Sequence, residues 1–216
     1  MTNELIAAVL AGIGALIGAA IQYRFQRLSA DRLEQREIIE THFLQMQDAL
    51  ESLYYRINNL RDWGGQRVMS DDYFKYTSVY AIGRVLAHES LLVAKGIYAK
   101  LHYNETLKRK LKTSLHRINR GLDDRRFLHY YRQQLAESLI EGGGVLTYTR
   151  FLSRKDDAVM QPAIAAAIVY IETAAPESLD QVRAAAQEAI ALLEAHTKVP
   201  SALSLVQSLT GRKPPS

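Results

Sequence analysis

The chain has 216 residues, 48% hydrophobic and 23% charged, which excludes a disordered tail or a collagen-like repeat and fits one domain with at most one appendage. Its 27 Lys and Arg against 23 Asp and Glu give a formal charge of +4, a mild excess that matters only where it is concentrated. The absence of cysteine excludes disulfide frameworks, thiolate metal sites, iron–sulfur clusters and cysteine nucleophiles, and fits a reducing compartment.

The first predicted element is a membrane helix. Leu5 to Ile21 reads LIAAVLAGIGALIGAAI, without a charge, and the uncharged stretch continues to Tyr23. As a helix this spans about 26 to 29 Å, against roughly 30 Å of hydrocarbon. Glu4 is the one side-chain charge before the run, unlike the positive n-region of a cleaved signal, whereas Arg24, Arg27, Arg32 and Arg36 follow it. The positive-inside bias therefore puts the N-terminus outside and everything after Tyr23 in the cytoplasm, as a single-pass protein of a cell inner membrane. Ala7, Ala11, Ala15 and Ala19 recur every fourth residue, and Gly14 and Gly18 form a GxxxG on a neighbouring face. Small residues at that spacing let helix backbones approach in lipid, so a homo-oligomer is expected. A stronger version of the same feature is a membrane-acting effector whose Gly/Ala-rich helix assembles into a lesion.

Residues 19 to 62 contain neither Gly nor Pro, so the helix is expected to leave the membrane as a polar stalk over 24–38 and continue. Ile39, Phe43, Met46, Leu50, Leu53, Ile57 and Leu60 then alternate at four and three residues, an apolar seam that needs a partner helix. That partner is expected within a bundle spanning 39–196, with an interchain coiled coil as the alternative. Trp63, Gly64 and Gly65 end this helix, and Ser70, Asp71 and Asp72 open a second one, predicted to run unbroken over 73–101. Tyr76, Tyr80, Arg84 and His88 stack on one of its faces. With Tyr54, Tyr55, Asn58 and Asn59 opposite, they are a candidate interhelical pocket or buried network.

A basic helix begins near Asn104, with Leu107, Leu111, Leu115, Ile118 and Leu122 on its apolar side. Between Asn104 and Arg126 stand Lys108, Arg109, Lys110, Lys112, Arg117, Arg120, Arg125 and Arg126 against three acids. For a domain held at a membrane, the nearest polyanion is the lipid headgroup surface, where each such residue adds on the order of 1 kcal/mol. Nucleic acid is set aside as a partner because the helix lacks interleaved aromatics for base stacking. A fourth helix is predicted over about 125–141, followed by Gly142, Gly143 and Gly144 and by an ambiguous segment, 145–152. Two more helices are predicted over 157–174 and 176–196, the last starting at Pro176 and repeating Leu179, Val182, Ala186, Ala189 and Leu193. Residues 197–216 read as a flexible tail.

Catalytic signatures are absent. The acidic pairs Asp71–Asp72, Asp123–Asp124 and Asp156–Asp157 fall at helix starts, where capping accounts for them. The six histidines show no metal-binding spacing, and no Walker loop, GxGxxG or GxSxG occurs, so no cofactor or metal is expected and no catalytic residue is assigned.

Two segments, EIIETHFLQMQDALESLYYRINNL (37–60) and YFKYTSVYAIGRVLAHESLLVAKGIYAKL (73–101), resemble a group of uncharacterised bacterial proteins with one N-terminal membrane helix and a cytosolic helical domain. The resemblance covers roughly residues 1 to 101 and implies a bacterial origin and the same anchored architecture; it brings no catalytic residue. The expectation is an all-α protein, a transmembrane helix continuing into a cytosolic long-helix bundle. It would act as an interaction or scaffold module for an unidentified protein partner.

Overall fold

The computed structural model describes residues 2–63, 71–101 and 104–205, leaving aside the side chains of residues 2–17, 31, 35 and 63. Among the described residues the fold is all-α apart from one hairpin of two-residue strands. It divides into two compact units, Met1–Glu40 and Thr41–Ser216.

The first unit is helix α1, Thr2–Ile38, about 55 Å long at 1.5 Å per residue. Without Gly or Pro after Gly18, nothing in its sequence interrupts the hydrogen-bond ladder. Ile21, Tyr23, Phe25, Leu28 and Leu33 on it are exposed, whereas Ile38 at its end is buried. Near its end Arg36 Nε donates to Glu40 Oε1 at 2.7 Å, a solvent-facing i,i+4 pair. Among the described residues no helix is long and apolar enough to cross a membrane. The side chains of residues 2–17, most of the apolar run, lie outside them, and with them the packing roles expected of Ala7, Ala11, Gly14 and Ala15. Gly18 has open space where a Cβ would stand, and Ala19 is exposed.

In chain order, a π-helical turn follows at Ile39–Phe43, and the second unit continues with α2, Leu44–Trp63. The apolar seam is covered from within the chain at Phe43, Met46, Leu50, Leu53, Ile57 and Leu60, which are all buried, while Ile39 at its start is half-buried. Helix α3, Asp72–Ala94, starts where Asp71 caps it, accepting a hydrogen bond from the Tyr73 amide at 2.8 Å. The unbroken helix expected over 73–101 ends early. Gly96 takes a left-handed conformation (φ 65°), and a separate short helix α4, Ile97–Lys100, follows.

Helix α5, Glu105–Gly121, opens as expected at Asn104, whose side chain accepts from the Leu107 amide at 3.0 Å. The fourth helix, α6, is His129–Ser138 and starts later than its sequence suggests. Asp124 Oδ1 accepts from the Arg126 amide at 2.8 Å, and this turn occupies the residues before it. The triple glycine forms a hairpin, β1 (Ile140–Glu141) antiparallel to β2 (Gly144–Val145), with Gly142 and Gly143 at φ 59° and 78°. The ambiguous segment thus divides, Val145 joining the hairpin and Tyr148–Arg154 forming α7 behind a Thr147 cap. Helices α8, Gln161–Thr173, and α9, Pro176–Thr197, complete the bundle. The expected tail departs from the sequence reading: Lys198 at φ 57° turns the chain, and 198–205 is held down. Gln47 Nε2 donates to the Val199 carbonyl at 3.2 Å, the Ala202 amide to Glu51 Oε2 at 3.0 Å and Ser204 Oγ to Glu194 Oε2 at 2.7 Å. Residues 206–216 lie outside the described residues.

Helix α9 packs on both α5 and α2, α2 on α3, α3 on α6, and α6 on α8. Its heptad residues Leu179, Val182, Ala186, Ala189 and Leu193 are buried. Two glycines set close approaches. A Cβ on Gly121 would stand 2.5 Å from Val182 Cγ2, and one on Gly83 would stand 2.5 Å from Leu139 Cδ1. The backbones of α3 and α5 remain further apart, and a cleft opens there.

Candidate functional site

The polar face of α3 is built into the fold. The Tyr80 hydroxyl donates to the Leu146 carbonyl at 2.6 Å, and its ring packs 5.5 Å from Phe151 and 5.4 Å from Tyr148. Tyr76 lies beneath two ammonium groups, Lys75 and Lys155, at 5.0 and 5.2 Å from its ring centre. Arg84 forms an ion pair with Asp48 on α2. His88 is only 4% exposed, and burial, with help from the charges of Arg84 and His42, lowers its imidazole pKa to about 4. The stripe therefore ties α3 to α2 and α7. Of the residues expected opposite, Tyr54 and Tyr55 stack edge to face on each other, 5.7 Å apart.

The basic residues divide into two groups. Lys108 pairs with Glu105 at 2.9 Å, Arg117 pairs with Glu188 of α9 at 2.6 Å, and Lys112 sits 4.7 Å above the Tyr98 ring. Arg109, Lys110, Arg120, Arg125 and Arg126 are exposed and have no ion pair among the described residues. Leu107, Leu111, Leu115 and Ile118 of α5 are buried, so the cations interleaved with them stand on its outer face, and Arg125 and Arg126 lie beyond its end.

The acidic pairs carry local structure. Asp71 caps α3, Asp124 closes the turn before α6, and Asp157 Oδ1 accepts from the Val159 amide at 2.9 Å. Asp123 instead meets Arg132, whose Nη1 lies 2.7 Å from Asp123 Oδ1. The same nitrogen donates to the carbonyls of Leu122 at 3.3 Å and Phe127 at 2.8 Å. This guanidinium is 6% exposed and staples the turn before α6 to α6 itself.

The cleft between α3, α5 and α6 has a volume of about 720 Å³, within the range of small-molecule sites. Leu86, Val93, Ala136 and Ile140 supply apolar wall, and Val93 is 63% exposed. Glu89 of α3 faces α5 across it and accepts a hydrogen bond from the Asn119 side-chain amide. Burial pushes the Glu89 carboxyl above the usual carboxylate range, with Asn119, His116 and His129 acting against the shift. Sequence reasoning missed this site because its walls come from three helices. A signal was present: Glu89 is the sole acid between Asp72 and Glu105, one residue away from the polar stripe. Among the described residues, no three His, Asp or Glu side chains are grouped to hold a metal ion.

No family model, curated protein or solved structure matches this chain.

Proposed function

We propose that the protein is a membrane-anchored helical interaction module that associates with copies of itself, its N-terminus outside an inner membrane and its bundle in the cytoplasm. The observation that carries this reading is the uncharged run Leu5–Ile21 on a helix whose continuation bears Arg24, Arg27, Arg32 and Arg36. Self-association draws support from the exposed Ile21, Phe25 and Leu28, spaced by four and three residues on α1, which a second α1 would cover. The cations Arg109, Lys110, Arg120, Arg125 and Arg126, without an ion pair among the described residues, suit anionic headgroups, each contributing on the order of 1 kcal/mol near the surface. A protein partner would then meet a bundle already held at the membrane.

The test compares the full chain with a version lacking residues 1–22, by fractionation with alkaline carbonate extraction and by crosslinking in native membranes. The expected result is carbonate-resistant membrane association and crosslinked multimers for the full chain, both lost on truncation. Extraction of the full chain by carbonate refutes the anchor. Monomers alone after crosslinking refute self-association.

A further inference from the structure

The α3–α5–α6 cleft has a chemistry that the anchoring role does not use. Glu89 is half-buried, and burial raises its carboxyl above the usual carboxylate range; Asn119 satisfies one of its oxygens, and the other accepts no hydrogen bond from the described residues. A desolvated carboxylate with spare acceptor capacity gains most from a cationic donor, which supplies both charge and N–H groups. The remaining charges favour the same sign of ligand. Arg132 is paired with Asp123, and its Nη1 also donates to backbone carbonyls, while its buried Nε has no partner among the described residues. That leaves Glu89 and Glu137 against Arg120, which is exposed with its side chain unpaired among the described residues, with the imidazoles of His116 and His129 also on the wall. An anionic ligand reaching Arg120 would lie beside two carboxyl groups. Next to Glu89 the apolar wall of Leu86, Val93, Ala136 and Ile140 would go unused by a small inorganic cation.

We infer that this cleft binds a small organic amine, its ammonium group hydrogen-bonded to Glu89 and its hydrocarbon body lying against Leu86, Val93, Ala136 and Ile140. The bundle is then a receptor for a protonated amine as well as an anchored module. The ligand would bridge α3 and α5 across the cleft, and so would stiffen the bundle there.

The test is calorimetric titration of the full chain in detergent micelles. The probes are phenethylamine, cyclohexylmethylamine and butylamine, with phenethyl alcohol and 3-phenylpropanoate as neutral and anionic counterparts. At least one amine should saturate a single site, with the alcohol about tenfold weaker or more and the carboxylate silent. Glu89→Gln retains the side-chain shape and an acceptor for Asn119 but should weaken the amine about tenfold. Ala94→Trp, at an exposed position on the cleft wall, should block binding while leaving Glu89 in place. Absence of saturable binding by all three amines overturns the inference. Equal binding of amine and carboxylate, or amine binding that survives both substitutions, also overturns it. None of these outcomes depends on whether residues 1–22 anchor the chain.

Discussion

Substituting His88 tests how the bundle responds to acid. The imidazole is 4% exposed and lies near Arg84 and His42, and its pKa falls from 6.5 to about 4 in the folded chain. Above pH 6.5 the ring is neutral in both folded and unfolded states, and it contributes no pH dependence. As pH falls below 6.5 the unfolded chain takes up the proton first, so stability declines until the folded ring titrates near pH 4. At 1.36 kcal/mol per pKa unit, the full loss is about 3 kcal/mol. The assay is urea unfolding of the full chain, wild type beside His88→Leu, at pH values from 7.5 to 4, read by circular dichroism. Other titrating groups are common to both chains, so the wild-type-minus-variant stability should fall by about 3 kcal/mol across this window and stay flat above it. A difference constant to within about 0.5 kcal/mol would refute the assignment. So would an NMR titration placing the His88 midpoint near that of a free imidazole.

Gly121→Ala should destabilise by about 1 to 3 kcal/mol in thermal or urea unfolding, because the new methyl meets Val182 Cγ2 at 2.5 Å and the Ser178 carbonyl at 3.1 Å. An unchanged midpoint would show that α5 and α9 can part without cost. Arg132→Met should cost about 2 to 3 kcal/mol by the same measurement, since it strips hydrogen bonds to a charged donor from Leu122 and Phe127. Hydrogen exchange should quicken first in the turn before α6. Removing Asp123 alone should cost far less, because the carbonyls retain the guanidinium.

The sequence made much of the bundle legible, for identifiable reasons. The seam from Phe43 to Leu60 and the repeat from Leu179 to Leu193 obey one period over several turns, and a pattern that long survives local irregularities. Asn104, Asp71 and Pro176 mark helix starts through chemistry confined to a few residues. The misread boundaries were decided otherwise. Gly96 ends α3 by a left-handed turn, whereas Gly83, on the same helix, serves close packing; composition does not distinguish the two uses. The late start of α6 depends on Asp124 bonding to a backbone amide, an alternative to helix that the sequence leaves open. The tyrosine and histidine stripe was visible as a face, but its partners Leu146 and Asp48 come from distant parts of the chain. The cleft was illegible for the same reason: no single helix contains it.

The position of α9 has a consequence for synthesis. The helix that covers both α2 and α5 is made long after α2, and the segment after it pins α2 through Gln47 and Glu51. At roughly 5 to 20 residues per second, the seam of α2 would wait on the order of 10 to 30 s for its cover. During that interval α3 is already in place beside α2, and the nascent chain would present to its surroundings the part of the seam that α9 covers. Chaperone demand should therefore peak before residue 176 is translated, and truncation within α9 should convert a stable bundle into a substrate for degradation.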